Sequence, residues 1–300
     1  MTAAAAPLFP PGRVTLLGVL NLTPDSFSDG GRLLAGGRPD LQAAVDAADK
    51  LLAAGAHILD VGGESTRPGA SEVPEALELE RTLPVIEALV RRFEAPVSID
   101  TRKAAVAEAA LAAGARLVND VSGLRFDARL GAVVAKAGAA LLLGHLRGTP
   151  SEMQREIAFR DVLREVGAEL AESLALARAA GVPQARLAVD PGIGFGKRLR
   201  ENLALLAHCG WLRQQLGVPL VVGPSRKAFL GELCGQPVER RDAATAAACA
   251  VAVFAGADAI RVHDAETGAC AARIGQALRD ARRAEIEAEL AAPARGEMQP

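Results

Sequence analysis

The stretch "AGAHILDVGGES" (54–65) decides the fold, because it joins the end of a helix to a buried strand and then to a polar loop. Gly55 is the residue type that commonly ends a helix in a left-handed conformation. The run HILDV (57–61) is apolar on both faces, as strands of a parallel sheet covered by helices are. The stretch therefore predicts one junction in a protein of alternating helices and strands.

The same unit recurs along the chain. Eight apolar runs have the length of strands, namely TLLGVLN (15–21), HILDV (57–61), APVSID (95–100), RLVND (116–120), AALLLGH (139–145), RLAVD (186–190), VPLVVG (218–223) and ADAIRVH (257–263). Segments with helical periodicity separate them, for example 74–93, 103–113, 157–180 and 243–255, and a last helix is expected over about 265–290. Eight regular βα units favour an α/β fold, a single closed (β/α)8 TIM barrel, over an open doubly wound sheet.

The chain as a whole fits one barrel domain. We expect a flexible N-terminal arm over 1–12, the barrel over 13–290 and a frayed C-terminal tail over 291–300. The net charge of -2 gives no general attraction to nucleic acid or to an anionic membrane. Four cysteines stand far apart without a C-x-x-C pair, which is typical of reduced thiols. Since no apolar run reaches the roughly 18 residues of a membrane helix, we expect a soluble cytoplasmic protein without nucleic-acid or membrane partners.

Polar side chains that can take part in chemistry close almost every apolar run. They are Asn21, Asp60, Asp100, Asn119, His145, Asp190, the group Ser225, Arg226 and Lys227, and the pair Arg261 and His263. In a TIM barrel the carboxyl ends of the strands meet at one mouth, where the active sites of this fold lie. A single Asp or Asn at such a place is more often a helix N-cap. So many groups at one rim are hard to explain by capping, and the set indicates an active site.

The loop VDPGIGFGK (189–197) looks like a phosphate-binding loop, but two templates for such loops fail. A Walker A loop needs one more residue between its glycines and a Ser or Thr where this chain has Arg198. A G-x-G-x-x-G fingerprint needs its third glycine one residue later than Gly196. What remains is Asp190 at a strand end with one aromatic residue, Phe195, which together suit a flat ring with an amidine-like edge. A mobile loop that only buries its phenylalanine is the alternative.

Three other loops supply groups that bind anions. GGESTRPGA (62–70) places Thr66 and Arg67 after the second predicted strand. GPSRK (223–227) and RVH (261–263) add hydroxyl, guanidinium, ammonium and imidazole groups after the last two strands, where barrel phosphate sites often lie. A ring-edge site and an anion site on one rim predict a substrate with a flat head and a phosphate tail.

An ordered set of motifs over roughly residues 13 to 280 resembles that of the dihydropteroate synthase family. The motifs are GVLNLTPDSFSDGG (18–31), DVGGESTRPGA (60–70), SIDTRK (98–103), VNDVSG (118–123), DPGIGFGK (190–197), SRKAFLG (225–231) and RVHD (261–264). The resemblance implies a TIM barrel, usually homodimeric, that joins p-aminobenzoate to 7,8-dihydropterin-6-ylmethyl diphosphate. Pyrophosphate and 7,8-dihydropteroate are the products, in folate biosynthesis. One departure is Leu146, where the family usually has methionine, and no functional consequence is expected.

The resemblance also implies a role for each matching residue. The pterin would be bound by Asp100, Asn119, Asp190 and Lys227. The pyrophosphate would be bound by Asn21, Thr66, Arg261 and His263, and Asn21 would also be a ligand of the expected cofactor, Mg²⁺. The p-aminobenzoate pocket would consist of Thr66, Arg67, Pro68, Phe27, Phe195 and Ser225, under a closing loop over 23–28. Catalysis would rest on Asp100, Asp190, Lys227, Arg261 and His263, whereas the Arg226 side chain can point away and stabilise its own loop.

The residue types fit a substitution without a strong general base, because an arylamine is neutral at pH 7. Arg261, His263 and Mg²⁺ would stabilise the leaving pyrophosphate, and an anionic Asp100 or Asp190 would stabilise positive charge on the pterin, which favours an SN1-like reaction. Two alternatives remain, a methyltransferase barrel that carries a methyl-folate and a non-catalytic pterin-binding paralogue. The anion-binding groups argue against the first, since methyl transfer releases no pyrophosphate. The intact segment 21–31 argues against the second.

Overall fold

The computed structural model describes residues 7–24, 33–35 and 37–291. The strands are β1 Thr15–Asn21, β2 Leu34–Ala35, β3 Arg38–Pro39, β4 Ile58–Gly62, β5 Val97–Asp100, β6 Leu117–Asp120, β7 Ala140–Gly144, β8 Leu187–Asp190, β9 Val221–Val222 and β10 Ala259–Val262. The α-helices are α1 Leu41–Ala53, α2 Glu75–Arg92, α3 Ala104–Ala112, α4 Leu130–Ala137, α5 Val162–Ala179, α6 Leu199–Ala207, α7 Cys209–Leu216, α8 Ala228–Cys234, α9 Asp242–Phe254 and α10 Ala265–Ala291. Two short 3-10 helices lie at Gln184–Arg186 and Val238–Arg240.

The barrel consists of eight parallel strands in the order β8-β7-β6-β5-β4-β1-β10-β9. Its two ends meet through an isolated bridge between Val189 and Leu220. There the Val189 N–H donates a 3.0 Å hydrogen bond to the carbonyl of Pro219. Because Pro219 has no N–H and the Leu220 N–H donates to the Asp258 side chain over 3.0 Å, β9 begins only at Val221. The predicted TIM barrel is confirmed, and each of the eight apolar runs overlaps one of its strands. The small antiparallel hairpin of β2 and β3 was not predicted.

The inside of the barrel is layered, and this layering places the functional residues. An apolar layer deep in the barrel contains Leu17, Ile58, Leu117, Ala140, Leu142, Ala188, Val221 and Ala259. Side chains two or four positions further along a strand point to the same face. The inward positions above this layer are therefore occupied by polar residues, namely Asn21, Asp60, Asn119, Asp190, Arg261 and His263. The alternate residues of each strand pack outward against the helices in the larger core cluster.

The predicted helices agree with the structure except at one start. The helix expected over 157–180 begins only at Val162, because Asp161 caps it by accepting a 3.1 Å hydrogen bond from the Arg164 N–H. The preceding Arg160 N–H donates to Glu165 of the first helical turn instead of joining the helix. Gly55, which was expected to end a helix in a left-handed conformation, has φ of 103°.

The chain ends pack in part. Of the arm predicted over 1–12, residues 7–12 are described, and Leu8 and Phe9 pack against the deep apolar layer of the barrel. Residue 291 ends α10, and the rest of the predicted tail lies outside the described residues. Among the helices of the described residues, none is both long and apolar enough to cross a membrane.

Candidate active site

A guanidinium held between two carboxylates forms the floor of the mouth. The Arg261 Nε atom lies 2.6 Å from Asp60 Oδ2, and its Nη2 atom lies 2.7 Å from Asp100 Oδ2. Asn119 donates to the same Asp60 oxygen over 3.1 Å. Asp60 is fully buried, and its other oxygen has no hydrogen-bond partner among the described residues. Four strands thus contribute one side chain each to a single polar cluster.

The charges of this cluster are balanced by one another. Burial raises the pKa of Asp100 to about 7, and the guanidinium of Arg261 opposes that rise. Burial by itself would lower the pKa of Arg261, but the nearby carboxylates of Asp60 and Asp100 outweigh it and raise that pKa. The arginine stays charged, and Asp100 has a pKa near neutrality, where a charged ligand can decide its protonation state.

Asp190 and Lys227 form a second cluster on the other side of the mouth. Burial raises the pKa of Asp190, and the ammonium of Lys227 is the main opposing influence. Burial lowers the pKa of Lys227 to about 8, against the attraction of Asp190. The Lys227 Nζ atom hydrogen-bonds the Ile193 carbonyl and lies 3.9 Å from the centre of the Phe195 ring. An acceptor, a donor and an aromatic face therefore lie close together, a combination that suits a flat heterocycle.

The glycine-rich loop is not a phosphate cradle. Its N–H groups are used within the protein, since Gly192 donates to Asp190 over 2.7 Å and Gly194 donates to Asn202 over 2.6 Å. Lys197, which would contact phosphate in a Walker loop, is only 3% exposed and points into the protein. Gly192 has φ of +68°, and a Cβ there would lie 2.0 Å from the His145 carbonyl. The glycines thus permit a tight turn, and the Gly192 N–H of this turn fixes the Asp190 carboxylate.

A histidine, a serine and an asparagine form the third part of the rim. His263 Nδ1 lies 2.9 Å from Ser225 Oγ, and its Nε2 lies 3.4 Å from Asn21 Nδ2. Burial, followed by the charges of Arg261, Arg226 and Arg67, lowers the pKa of His263 to about 3. The imidazole is neutral, so the positive charge on this side of the mouth comes from the arginines.

The loop after β4 brings Thr66, Arg67 and Pro68 to the same rim. Thr66 and Arg67 are half-buried, whereas Pro68 is exposed. The Gly69 N–H donates a 3.0 Å hydrogen bond to the Pro150 carbonyl in the loop after β7. Arg67 is near enough to His263 to lower its pKa, so this loop reaches the His263 side of the mouth.

The structure brings almost all of the predicted site residues together at the mouth of the barrel. Asn21, Asp100, Asn119, Asp190, Lys227, Arg261 and His263 all meet in the mouth, with Thr66, Arg67, Phe195 and Ser225 at its rim. Phe27, predicted in the p-aminobenzoate pocket, lies outside the described residues. Arg226 turns away and forms a two-pronged ion pair with Asp242, at 2.7 and 3.0 Å, so it stabilises its own loop.

Sequence reasoning missed two groups. Asp60 was noted only as a strand-end residue, although it is the carboxylate that joins Arg261 to Asn119; its inward position two residues after Ile58 was the available signal. The second group comprises Glu64, Arg102, Lys103 and Glu78, which form a buried ion-pair network behind the loop after β4. The pattern of charges in SIDTRK (98–103) gave no sign that Arg102 and Lys103 would be buried.

Comparisons with known proteins agree with this geometry. Residues 17–263 match the family described as "Pterin binding enzyme". The chain is 44% identical to the dihydropteroate synthase of a Synechocystis species, over 89% of this chain and 90% of that protein. It also resembles the Yersinia pestis dihydropteroate synthase in complex with a sulfonamide drug, with 41% identity, a TM-score of 0.84 and coverage of 89% and 95% of the two chains.

A second solved structure, the Xanthomonas albilineans dihydropteroate synthase with 4-aminobenzoic acid, has a TM-score of 0.79 at 40% identity and covers 94% of each chain. The family match includes every strand end described above, and these relatives cover 89% or more of this chain. The chain belongs to the dihydropteroate synthase family of pterin binding enzymes.

Proposed function

We propose that the side chains at the mouth of the barrel catalyse one reaction, in which one side of the mouth binds the pterin ring and the other side binds the leaving anion. The chain is a dihydropteroate synthase, a transferase that joins p-aminobenzoate to 7,8-dihydropterin-6-ylmethyl diphosphate in folate biosynthesis. The observation that carries the proposed mechanism is the Arg261 guanidinium between Asp60 and Asp100, opposite the pair of Asp190 and Lys227. Carboxylates thus lie near the proposed position of the pterin cation, and a guanidinium lies near that of the leaving anion.

The pterin is held by Asp100, Asn119, Asp190 and Lys227. Asp190 accepts from the amino-pyrimidine edge, because its carboxylate is oriented by the Gly192 N–H and points into the mouth from a strand end. Lys227 donates to the carbonyl side of the ring. The unpartnered Asp60 oxygen supports the placement of a polar ligand on this floor, since buried polar atoms normally have a partner.

Substitution proceeds by departure of the pyrophosphate before attack by the amine. The bond between the exocyclic pterin carbon and the phosphate oxygen breaks, and its electron pair leaves with pyrophosphate. Arg261, Thr66, Asn21 and the neutral His263 stabilise that anion, while the carboxylates stabilise the cation left on the pterin. The amine nitrogen of p-aminobenzoate then forms the new bond and loses its proton to water. Kinetic isotope effects at the reacting carbon test this order, and effects typical of tight, synchronous attack would refute it.

Magnesium fits this site only as an ion that binds together with the diphosphate substrate. No group of three or more His, Cys, Asp or Glu side chains in the described ranges could hold a metal. The Asn21 Oδ1 atom lies 3.7 Å from the place of a Cβ at Gly62, and Asp100 Oδ2 lies 3.8 Å from it, so both oxygens lie beside the end of β4. Mg²⁺ usually binds through one or two protein oxygens plus phosphates and water. When bound, it would neutralise charge on the pyrophosphate, with Asn21 as its protein ligand.

The p-aminobenzoate pocket lies between Phe195, Ser225 and the loop of Thr66, Arg67 and Pro68. Arg67 supplies a cation for the carboxylate, and the Phe195 ring supplies a flat apolar surface. The Xanthomonas albilineans relative is described with 4-aminobenzoic acid and the Yersinia pestis relative with a sulfonamide drug. Sulfonamides should therefore inhibit this enzyme in competition with p-aminobenzoate.

The decisive experiment follows both products at once. Purified protein is mixed with p-aminobenzoate, the dihydropterin diphosphate and Mg²⁺, and the release of pyrophosphate is compared with the formation of dihydropteroate. Equal amounts of both are expected. Binding of the pterin without either product would favour the non-catalytic paralogue, and absence of pterin binding would refute the assigned roles of Asp190 and Lys227.

The same chain is proposed to form a homodimer through α9 and α10. The two helices cross closely, since a Cβ at Gly275 would lie 2.5 Å from the Ala250 carbonyl. Val251 and Phe254 on α9 and Ile274 and Leu278 on α10 flank this crossing and are 36% to 55% exposed. Such a cluster of large apolar side chains on one face is typical of a protein interface, and a second copy of the chain is the proposed partner.

A cytoplasmic location also remains a proposal. Cys209, Cys234, Cys249 and Cys270 are all free thiols in the structure. Free cysteines without disulfides are typical of proteins in a reducing compartment. Fluorescent tagging of the protein in its host tests this, with diffuse cytoplasmic signal expected.

A further inference from the structure

Beneath the glycine-rich turn lies a buried lysine that has no role in the reaction described above. Lys197 follows the turn and is 3% exposed. A lysine that is buried so completely requires acceptors for its charge, because an unpaired ammonium in the interior is strongly unfavourable. Because Lys197 lies at the base of the turn, its acceptors show which parts of the protein it holds together.

The acceptors are parts of the turn itself and the neighbouring strand end. Lys197 Nζ lies 2.9 Å from the carbonyl oxygens of both Gly192 and Phe195. It also lies 3.0 Å from His145 Nδ1, in the loop after β7. The His145 carbonyl lies 3.4 Å away as a fourth acceptor, so the three N–H donors of an ammonium are fully satisfied. The lysine therefore ties the two ends of the turn to each other and to the adjacent strand.

His145 is itself fixed in the form that can accept this bond. Its Nε2 lies 3.1 Å from the carboxylate of Glu169 on α5, which Arg147 and Arg125 also contact. A proton on Nε2 leaves the lone pair of Nδ1 for the lysine. Burial, together with the charge of Lys197, lowers the pKa of His145 to about 4, so the neutral ring is the form present.

The turn that Lys197 holds touches the site at three points. The N–H of Gly192 orients Asp190, and the carbonyl of Ile193 holds the ammonium of Lys227. The ring of Phe195 lies under that same ammonium. A displacement of the turn would thus move a pterin acceptor, a pterin donor and the aromatic wall of the p-aminobenzoate pocket together.

We propose that Lys197 is a positioning residue for both substrates, which acts by fixing the turn of residues 191–196 through the Gly192 and Phe195 carbonyls. The proposal builds on the function proposed above. The lysine contacts no reacting atom, so its loss should weaken the binding of both substrates and leave the chemical step nearly unchanged. This separates it from Lys227 on the other side of the turn.

The test compares Lys197→Met with the wild type in KM, kcat and pterin affinity. The KM for p-aminobenzoate and the dissociation constant of the pterin should each rise about tenfold or more, with kcat changed by less than about threefold. A general loss of stability would not produce this split. Leu212→Ala, a buried core residue on α7, supplies a matched destabilised control in which both constants should stay at the wild-type value.

A double-mutant cycle with Phe195→Ala tests whether the effect passes through the turn. If it does, Lys197→Met should raise the KM for p-aminobenzoate far less in the Phe195→Ala background than in the wild type. Unchanged constants in Lys197→Met, or equal effects in both backgrounds, would overturn the proposal. If the methionine variant does not fold, Lys197→Gln replaces it, with two of the three N–H donors kept and a smaller rise expected. Pterin affinity needs no turnover, so an inactive wild-type enzyme would refute the proposed function without deciding the role of Lys197.

Discussion

At the residue scale, Arg261 has two tasks that a single substitution removes together. It is proposed to supply charge for the leaving pyrophosphate, and it neutralises the carboxylates of Asp60 and Asp100. Its Nε and Nη2 atoms bind different strands, so no other residue of the cluster can replace it. The planar guanidinium with several fixed donors is what makes this bridge possible.

Arg261→Ala should lower kcat by about a hundredfold or more, because one well-placed electrostatic contact contributes about 3 kcal/mol to catalysis. It should also lower the free energy of unfolding by roughly 3 kcal/mol, because it leaves a buried carboxylate without its partner. Steady-state kinetics and urea unfolding measure the two effects. Arg261→Lys keeps the positive charge but cannot bridge Asp60 and Asp100. Its kcat and its free energy of unfolding should lie between those of Arg261→Ala and the wild type. Near-normal turnover in Arg261→Ala would place the pyrophosphate elsewhere.

Gly192 illustrates how a single hydrogen atom in place of a side chain permits the turn. Gly192→Ala should destabilise the protein by at least about 2 kcal/mol, because its methyl group would collide with the His145 carbonyl as well as adopt an unfavourable φ. Gly138→Ala is the matched control, since it has a similar φ of +62° but nothing within 4 Å of the added Cβ. The control should lose only about 1 kcal/mol in the same urea titration. Equal losses in the two variants would show that the collision is relieved by movement.

At the element scale, the loop after β4 is shaped by a buried carboxylate at its base. Glu64 accepts from the Val73 N–H over 2.8 Å, which closes the loop, and its carboxylate also binds Arg102 and Lys103. Arg102 in turn lies 3.9 Å from the Phe126 ring. The loop that carries Thr66 and Arg67 is thus attached to the loop after β5 by ion pairs inside the protein.

Glu64→Gln should raise the KM for p-aminobenzoate several-fold and destabilise the fold by about 3 kcal/mol, because Arg102 and Lys103 lose a buried counter-ion. Glu72→Gln is the control, since Glu72 lies 3.5 Å from the same Arg102 but its side chain is 59% exposed. The control should change stability by less than about 1 kcal/mol and leave the KM unchanged. A loop that keeps its shape without the Glu64 charge would give the wild-type KM in both variants.

At the scale of the whole molecule, burial of ionisable groups at the mouth makes stability depend on pH. The pKa of His145 is lowered to about 4, from an ordinary value near 6.5, chiefly by burial. Between these values the unfolded chain binds a proton that the folded chain does not. His145 therefore makes the free energy of unfolding fall as the pH falls from about 6.5 to about 4, by at most about 1.4 kcal/mol per pH unit.

Urea unfolding from about pH 7.5 to about pH 4.5 can isolate this contribution by difference. Asp100 acts in the opposite direction, because its pKa is raised, so the wild-type curve by itself is not decisive. The free-energy difference between wild type and His145→Asn should shrink as the pH falls below about 6.5. A constant difference over this range would show that His145 does not stay neutral in the folded protein.

The proposed homodimer is the second prediction at this scale. Leu278→Glu on α10 should shift the protein toward the monomer in sedimentation velocity, because it places a charge in the middle of the apolar face of α9 and α10. Leu176→Glu on α5 is a matched control, since both leucines are more than half exposed and α5 packs against α6 and α7 instead. The control should leave the association state unchanged. A wild-type monomer at all concentrations would refute the proposed interface.

The sequence by itself determined the alternation of strands and helices, the barrel and most of the residues at its mouth. This was possible because strand ends in a parallel barrel share one rim, so a local pattern at each strand identifies a common site. It also excluded the Walker and dinucleotide templates for the glycine-rich loop, since spacing is a local property. The tertiary structure alone decided which groups contact each other, such as Arg261 with Asp60 across 201 positions of sequence. It alone turned Lys197 and Glu64 inward, because burial and pairing of a charge depend on side chains that only the closed barrel brings together.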